Sequence, residues 1–165
     1  MSRARDFADL AVGITATDLP AGASLQVVQD VYSTYTQITS NSYVDTGISQ
    51  AITPSSSSNK ILVIASIQCS NGTGVSANET GFQFVRGSTS IRVYERPIFA
   101  YNQSGDNLAI DANVSLVFLD SPSTTSATTY KVQARENSSG TMRINDYFSS
   151  NGNGCSTLTL VEIAG

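Results

Sequence analysis

The chain has 165 residues, 40% of them hydrophobic and only 13% charged, with a net charge of −4 and no histidine. That length can close one apolar core without disulfides or metal. The acidic balance speaks against a nucleic-acid partner, which needs a concentrated basic surface, and no run of eighteen apolar residues is present to span a membrane. Ser and Thr make up about a quarter of the residues, above ordinary usage. With many Val, Ile and Tyr and frequent Gly/Ser/Asn clusters, they point to an all-β, turn-rich domain.

Residues 1–24 read differently from the rest. Ser2 can cap a short helix in which Phe7, Leu10 and Ala11 share a face and Gly13 ends it. A helix this short is marginal in water, so the segment is either a frayed tail or an arm that folds against a partner. The opening MSRARDFADL lacks the apolar stretch of an export signal, and synthesis and folding in a cytoplasm are expected. Cys69 and Cys155 are then expected to be free thiols.

From Leu25 onward, strands are expected at sandwich spacing. The first two cover 26–35 and 43–53, the second ended by Pro54 and a serine run. Residues 60–70, with the near-continuous apolar run ILVIASI, read as a central strand buried on both faces. Residues 82–86 and 89–94 form a hairpin across Gly87-Ser88, a type II′ signal, and Pro97 ends it. Residues 101–108 read as a polar loop. The next strand covers 113–119, with Val114, Leu116 and Phe118 on one face. Residues 130–135 alternate Tyr130, Val132 and Ala134 with Lys131, Gln133 and Arg135, the signature of a half-buried strand. A second hairpin is expected between 130–135 and 142–147. The last strand, 156–163, places Leu158 and Leu160 on one face with Glu162, and Val161 and Ile163 on the other with Thr157 and Thr159. Two partly apolar faces suggest a core on one side and a neighbouring subunit on the other, the alternative being a monomer with a central final strand. Eight or nine strands with long polar crossovers suit a two-sheet antiparallel jelly-roll sandwich.

Nothing in the pattern carries enzyme chemistry. Without histidine there is no Ser-His or Cys-His nucleophile, and two distant cysteines cannot complete a zinc site. Asp106, Asp111 and Asp120 are not brought together by any spacing signal. Asp106, Asn107, Asp111 and Asn113 lack the dense acidic pattern of a calcium loop. No cofactor and no metal are expected. Tyr94, Tyr101 and Asn102 could offer an aromatic platform to a host glycan, against the plainer reading of packing residues.

Four phrases carry a resemblance: LQVVQ (25–29), ITPSSSSNKILVI (52–64), FQFVRGSTSIRVY (82–94) and LDSPSTTSATTYKVQ (119–133). With them, residues 25–165 resemble small virion-surface proteins of tailed bacteriophages, knob modules of trimeric jelly-roll fold related in shape to the tumour-necrosis-factor and complement heads. The resemblance implies a non-enzymatic virion protein assembled in the host cytoplasm. It implies a homotrimer whose last strand (Leu158, Leu160, Val161, Ile163) lies near the threefold axis. It also implies attachment to other phage capsid or tail proteins by residues 1–24 through Phe7 and Leu10. Capsid decoration is the expectation. The alternative is a short tail-fibre head that binds a host receptor or glycan, for the SRARDFADLA opening resembles segments of tail-fibre proteins.

Overall fold

The computed structural model describes residues 19–72, 77–101, 109–137, 140–146 and 154–165. These form ten strands: β1 (Ser24–Tyr32), β2 (Thr36–Ile38), β3 (Val44–Ile52), β4 (Lys60–Gly72), β5 (Ala77–Arg86), β6 (Thr89–Tyr101), β7 (Ala109–Asp120), β8 (Thr128–Glu136), β9 (Thr141–Ile144) and β10 (Ser156–Ile163). Every strand pairing is antiparallel. One sheet runs β1-β10-β4, continues from β4 through β9 to β2, and carries β7 on the other flank of β4; the second runs β3-β8-β5-β6. The chain thus passes from sheet to sheet in the order of a jelly roll, as the sequence leads one to expect. The first eighteen residues, with the expected helix of Phe7 and Leu10, lie outside the described residues.

The alternation of apolar and polar residues decides which side of each strand faces inward. On β4 Ile61, Val63, Ala65, Ile67 and Cys69 are fully buried, whereas Leu62, Ile64 and Ser66 on the other side are half-buried. On β8 Tyr130, Val132 and Ala134 face inward against Phe82 and Phe84 of β5. Each such large side chain contributes about 1.5–3 kcal/mol on burial. The expected central position of β4 holds, since it pairs with β7, β9 and β10.

The β5–β6 hairpin is as expected. Arg86 pairs with Thr89, Gly87 has φ 58°, and Ser88 is not left-handed, which fits a type II′ turn.

Two expectations are corrected. Pro97 does not end β6. Gly81 pairs with Glu95 and Glu79 with Phe99, so Arg96, Pro97 and Ile98 form a bulge opposite Thr80, with Arg96 at φ 56°. A bulge on an edge strand tolerates a residue that has no N–H to donate. Nor do β8 and β9 form a hairpin: β8 pairs with β3 and β5, while β9 pairs with β2 and β4 in the other sheet. The chain leaves the β3-β8-β5-β6 sheet where Glu136 N–H donates to Ser40 O and Asn137 N–H to Glu79 O, at 2.8 and 2.9 Å.

Both ends of the described chain meet at one end of the sandwich. Gly22 N–H donates to Ala164 O and Ala164 N–H to Ala23 O, each at 2.8 Å. Sheet contact therefore starts slightly ahead of the composition break at Leu25. The far ends of β4, β5, β6 and β7 lie at the opposite end, where Gly72 pairs with Ala109 and Ala77 with Tyr101.

Candidate functional site

The two sheets present opposite chemistry to the outside. On the outer side of β3-β8-β5-β6, polar groups are tied to one another across the strands. Lys131 Nζ donates to Asp45 at 2.8 Å and Gln133 Nε2 to the same carboxylate at 2.6 Å. Gln83 donates to Gln133 at 2.5 Å, and Ser90 to Gln83 at 2.8 Å. Arg135 donates to Glu95 at 2.6 Å while its guanidinium lies 5.0 Å from the centre of the Tyr43 ring. Cross-strand pairs of this kind stabilise a water-facing sheet.

The outer side of the other sheet has no such groups over most of its area. Strand register places its side chains in three rows. The first is Val27–Val161–Leu62–Leu119, the second Gln29–Thr159–Ile64–Val117, and the third Val31–Thr157–Ser66–Ser115. None of these positions is ionisable. Val27 is 60% exposed, Val31 58%, Val117 54% and Leu119 47%. Gln29 donates to Thr159 at 2.7 Å, and Ser66 to Asn113 at 2.9 Å, so Gln29, Thr159 and Ser66 find partners within the face itself. Single exposed apolar residues need no explanation, but a contiguous apolar patch marks an interaction surface.

The residues expected at a subunit contact fall on both sides of this sheet. Leu158 and Leu160 are fully buried in the chain's own core, so their side chains are not available to a neighbour. Val161 and Ile163 lie on the outer side and are half-buried. The expectation did not include Val27, Leu62, Ile64, Val117 and Leu119. Their signal was present in the sequence: ILVIASI and VSLVFL are apolar at both parities, not one.

Tyr94 is occupied as a clamp between the sheets. Its hydroxyl donates to Val117 O at 2.6 Å, its ring stands edge-on to Phe84 at 5.7 Å, and Arg92 lies 5.3 Å from its centre. Burial raises its pKa above the ordinary tyrosine value, with the nearby Arg92 opposing. Of the other two residues of the expected glycan platform, Asn102 lies outside the described residues, as does the side chain of Tyr101.

Asp106 and Asn107 of the rejected calcium pattern also lie outside them. Among the described residues no three His, Cys, Asp or Glu side chains come close enough to hold a metal. Asp120 is engaged by Arg86 at 2.8 Å and by the Tyr130 hydroxyl at 2.7 Å. Both cysteines are free, Cys69 buried and Cys155 exposed.

At the end where Gly22 and Ala23 meet Ala164, Glu162 is a buried carboxylate, 1% exposed, with four donors around it. Ser55 N–H donates at 2.6 Å, Ser55 Oγ at 2.8 Å, Asn59 Nδ2 at 2.6 Å and Gln26 Nε2 at 2.5 Å. Burial alone would raise its pKa, but the bonds from Asn59, Gln26 and Ser55 outweigh burial and hold it below the ordinary glutamate value. This clasp fixes the serine-rich 54–59 connection to β10 and β1.

No protein-family model matches the sequence, and no curated protein matches it. Among solved structures, the chain is similar to the infectious bursal disease virus Gx strain structure at 11% identity and a TM-score of 0.37, covering 87% of this chain and 39% of that one. It is likewise similar to the infectious bursal disease virus VP2 subviral particle at 12% identity and a TM-score of 0.37, covering 85% and 37%. The chain spans less than two-fifths of the length of either.

Proposed function

We propose that the protein is a non-enzymatic structural component of a virion, a homotrimeric surface knob that residues 1–24 fix to the particle, acting as capsid decoration. The single observation that carries this reading is the contrast between the two sheets. One outer face is charged and internally paired, as a surface bathed in water is. The other carries three rows without an ionisable side chain, seven of their twelve positions apolar, as a surface covered in an assembly does. Val161 and Ile163 of β10 lie on that second face, which supports a subunit contact along the last strand. The backbone bonds of Gly22 and Ala23 to Ala164 support a base end from which residues 1–18 reach the particle.

Removal of residues 1–18 keeps those bonds intact and tests the reading directly. The truncated protein is expected to fold and assemble as the full chain does, yet to lose binding to particles that lack it. Full binding by the truncated protein refutes the arm. Imaging of the full-length protein on virions then separates the shell from the tail, and a tail position favours a fibre head that binds a host receptor or glycan.

A further inference from the structure

We infer that the whole outer face of the β1-β10-β4-β7 layer, and not the last strand alone, is covered by a second copy of this chain. The inference rests on the structural reading above, but its test is separable from it.

Size comes first. The three rows span three strand spacings of about 4.8 Å and four residue steps of about 3.4 Å between Leu62 and Ser66, or roughly 200 Å² of sheet plane between the outermost Cα atoms. Side-chain relief brings this into the range of the largest patches on monomers, about 300–600 Å², which are often functional. A stable contact covers about 800 Å² on each partner, so the apolar members of the rows are the centre of a contact whose rim is supplied by Gln29, Thr157, Ser115 and the strand ends.

Charge then selects the occupant. The chain carries a net charge of −4, so two copies repel wherever acid meets acid. This face has no ionisable side chain in any of its three rows, Lys60 and Asp111 lying beyond them at either end, and two copies can meet over the rows without leaving a charge buried and unpaired. A partner of opposite charge would find nothing on the face to recognise. Val, Leu, Ile and Thr side chains on a flat sheet suit contact with their own kind, and contacts between identical subunits are the more apolar class. The strands of the opposite sheet bring their charges together in pairs on the other side of the molecule, away from the contact.

Sedimentation of the purified full chain tests this, together with Ile64→Glu at the centre of the face, Val117→Glu on β7, and Ala51→Glu on the exposed side of β3 as a control. The wild type and Ala51→Glu are expected to sediment as one oligomer. Ile64→Glu and Val117→Glu should raise the dissociation constant on the order of a hundredfold or more, because assembly would bury an uncompensated carboxylate. Both should keep the far-ultraviolet spectrum of a folded sheet. Should Ile64→Glu fail to fold, Val117→Glu decides alone, since its side chain is 54% exposed in the single subunit. A monomeric wild type overturns the inference, as do glutamate variants that assemble like the wild type. Glutamate variants that assemble normally but no longer bind particles overturn it too, and assign the face to a particle protein. A monomer that still binds particles refutes the self-contact and leaves the virion reading standing. An oligomer absent from every particle does the reverse.

Discussion

Replacing Glu162 with Gln removes one negative charge from a site that contains four neutral donors and no cation among its bonded partners. Three of the donors converge on Oε1, which a glutamine carbonyl retains; the fourth, Gln26 Nε2, would face an N–H. Gln26 can turn its amide, but only by giving up its 2.8 Å bond to Thr53 O. Bonds to a charged acceptor contribute about 1.5–3 kcal/mol and neutral ones about 0.5–1.5. Weakening three by about 1–1.5 kcal/mol each and losing one therefore costs about 5–7 kcal/mol, offset by roughly half because a neutral amide is easier to bury. A net loss of about 2–3 kcal/mol is expected at pH 7, or a fall in Tm of roughly 4–12 °C for a domain of this size. The folded pKa of Glu162 is depressed, so its contribution is complete above the unfolded value of roughly 4.3. It disappears as pH falls through the lower folded value. The gap between wild type and Glu162→Gln should accordingly narrow below that pH. Urea unfolding of both proteins at pH 7 and pH 3, at equal chain concentration, measures it. A gap of the same size at both pH values, or none at pH 7, refutes the view of Glu162 as a charged clasp.

Gly47 has φ 95°, and a Cβ there would lie 2.3 Å from the Tyr32 hydroxyl, whereas Gly87 at φ 58° has open space around it. Gly87→Ala should cost about 1–2 kcal/mol from backbone strain alone, and Gly47→Ala clearly more; equal melting temperatures would contradict the assigned contact. Cys69 is pushed up to about 12 by burial and by the charge of Asp111, while Cys155 is exposed. Thiol titration of the native protein should find one fast-reacting group and a second only after unfolding, and two groups of equal rate would be inconsistent with this core.

The strands with a strict two-residue period were legible because each makes its own local statement. Residues 130–135 carry alternation that survives whatever pairs beside them, and the apolar runs at 60–70 and 156–163 mark strands by composition and length. The Gly87-Ser88 turn is local in the same sense. What was not legible depends on where a strand sits. Pro97 reads as a terminator because most strands use both edges, yet among the described strands β6 pairs with β5 alone and places Pro97 in a bulge. The short connection after Glu136 fits a hairpin and a corner equally well. Distant groups decide between them: Ser40 and Glu79 accept from Glu136 and Asn137, and Asn71 and Gly72 pair with Met142 and Thr141. Such partners are far away in sequence, and no local pattern names them.

The candidate face was half legible for a related reason. Period two says which residues share a side, but not which side turns inward. In β10 both sides are apolar, so Leu158 and Leu160 looked as available to a neighbour as Val161 and Ile163. The second sheet resolves the ambiguity, since only one side of β10 can pack against it, and Leu158 and Leu160 take that side. The same logic applies to β4 and β7: once Val63 and Leu116 are committed to the core, Leu62, Ile64, Val117 and Leu119 must lie together outside. The described residues give those four side chains no further burial. Apolar residues at these positions therefore point to a burial that the described part of the chain does not complete.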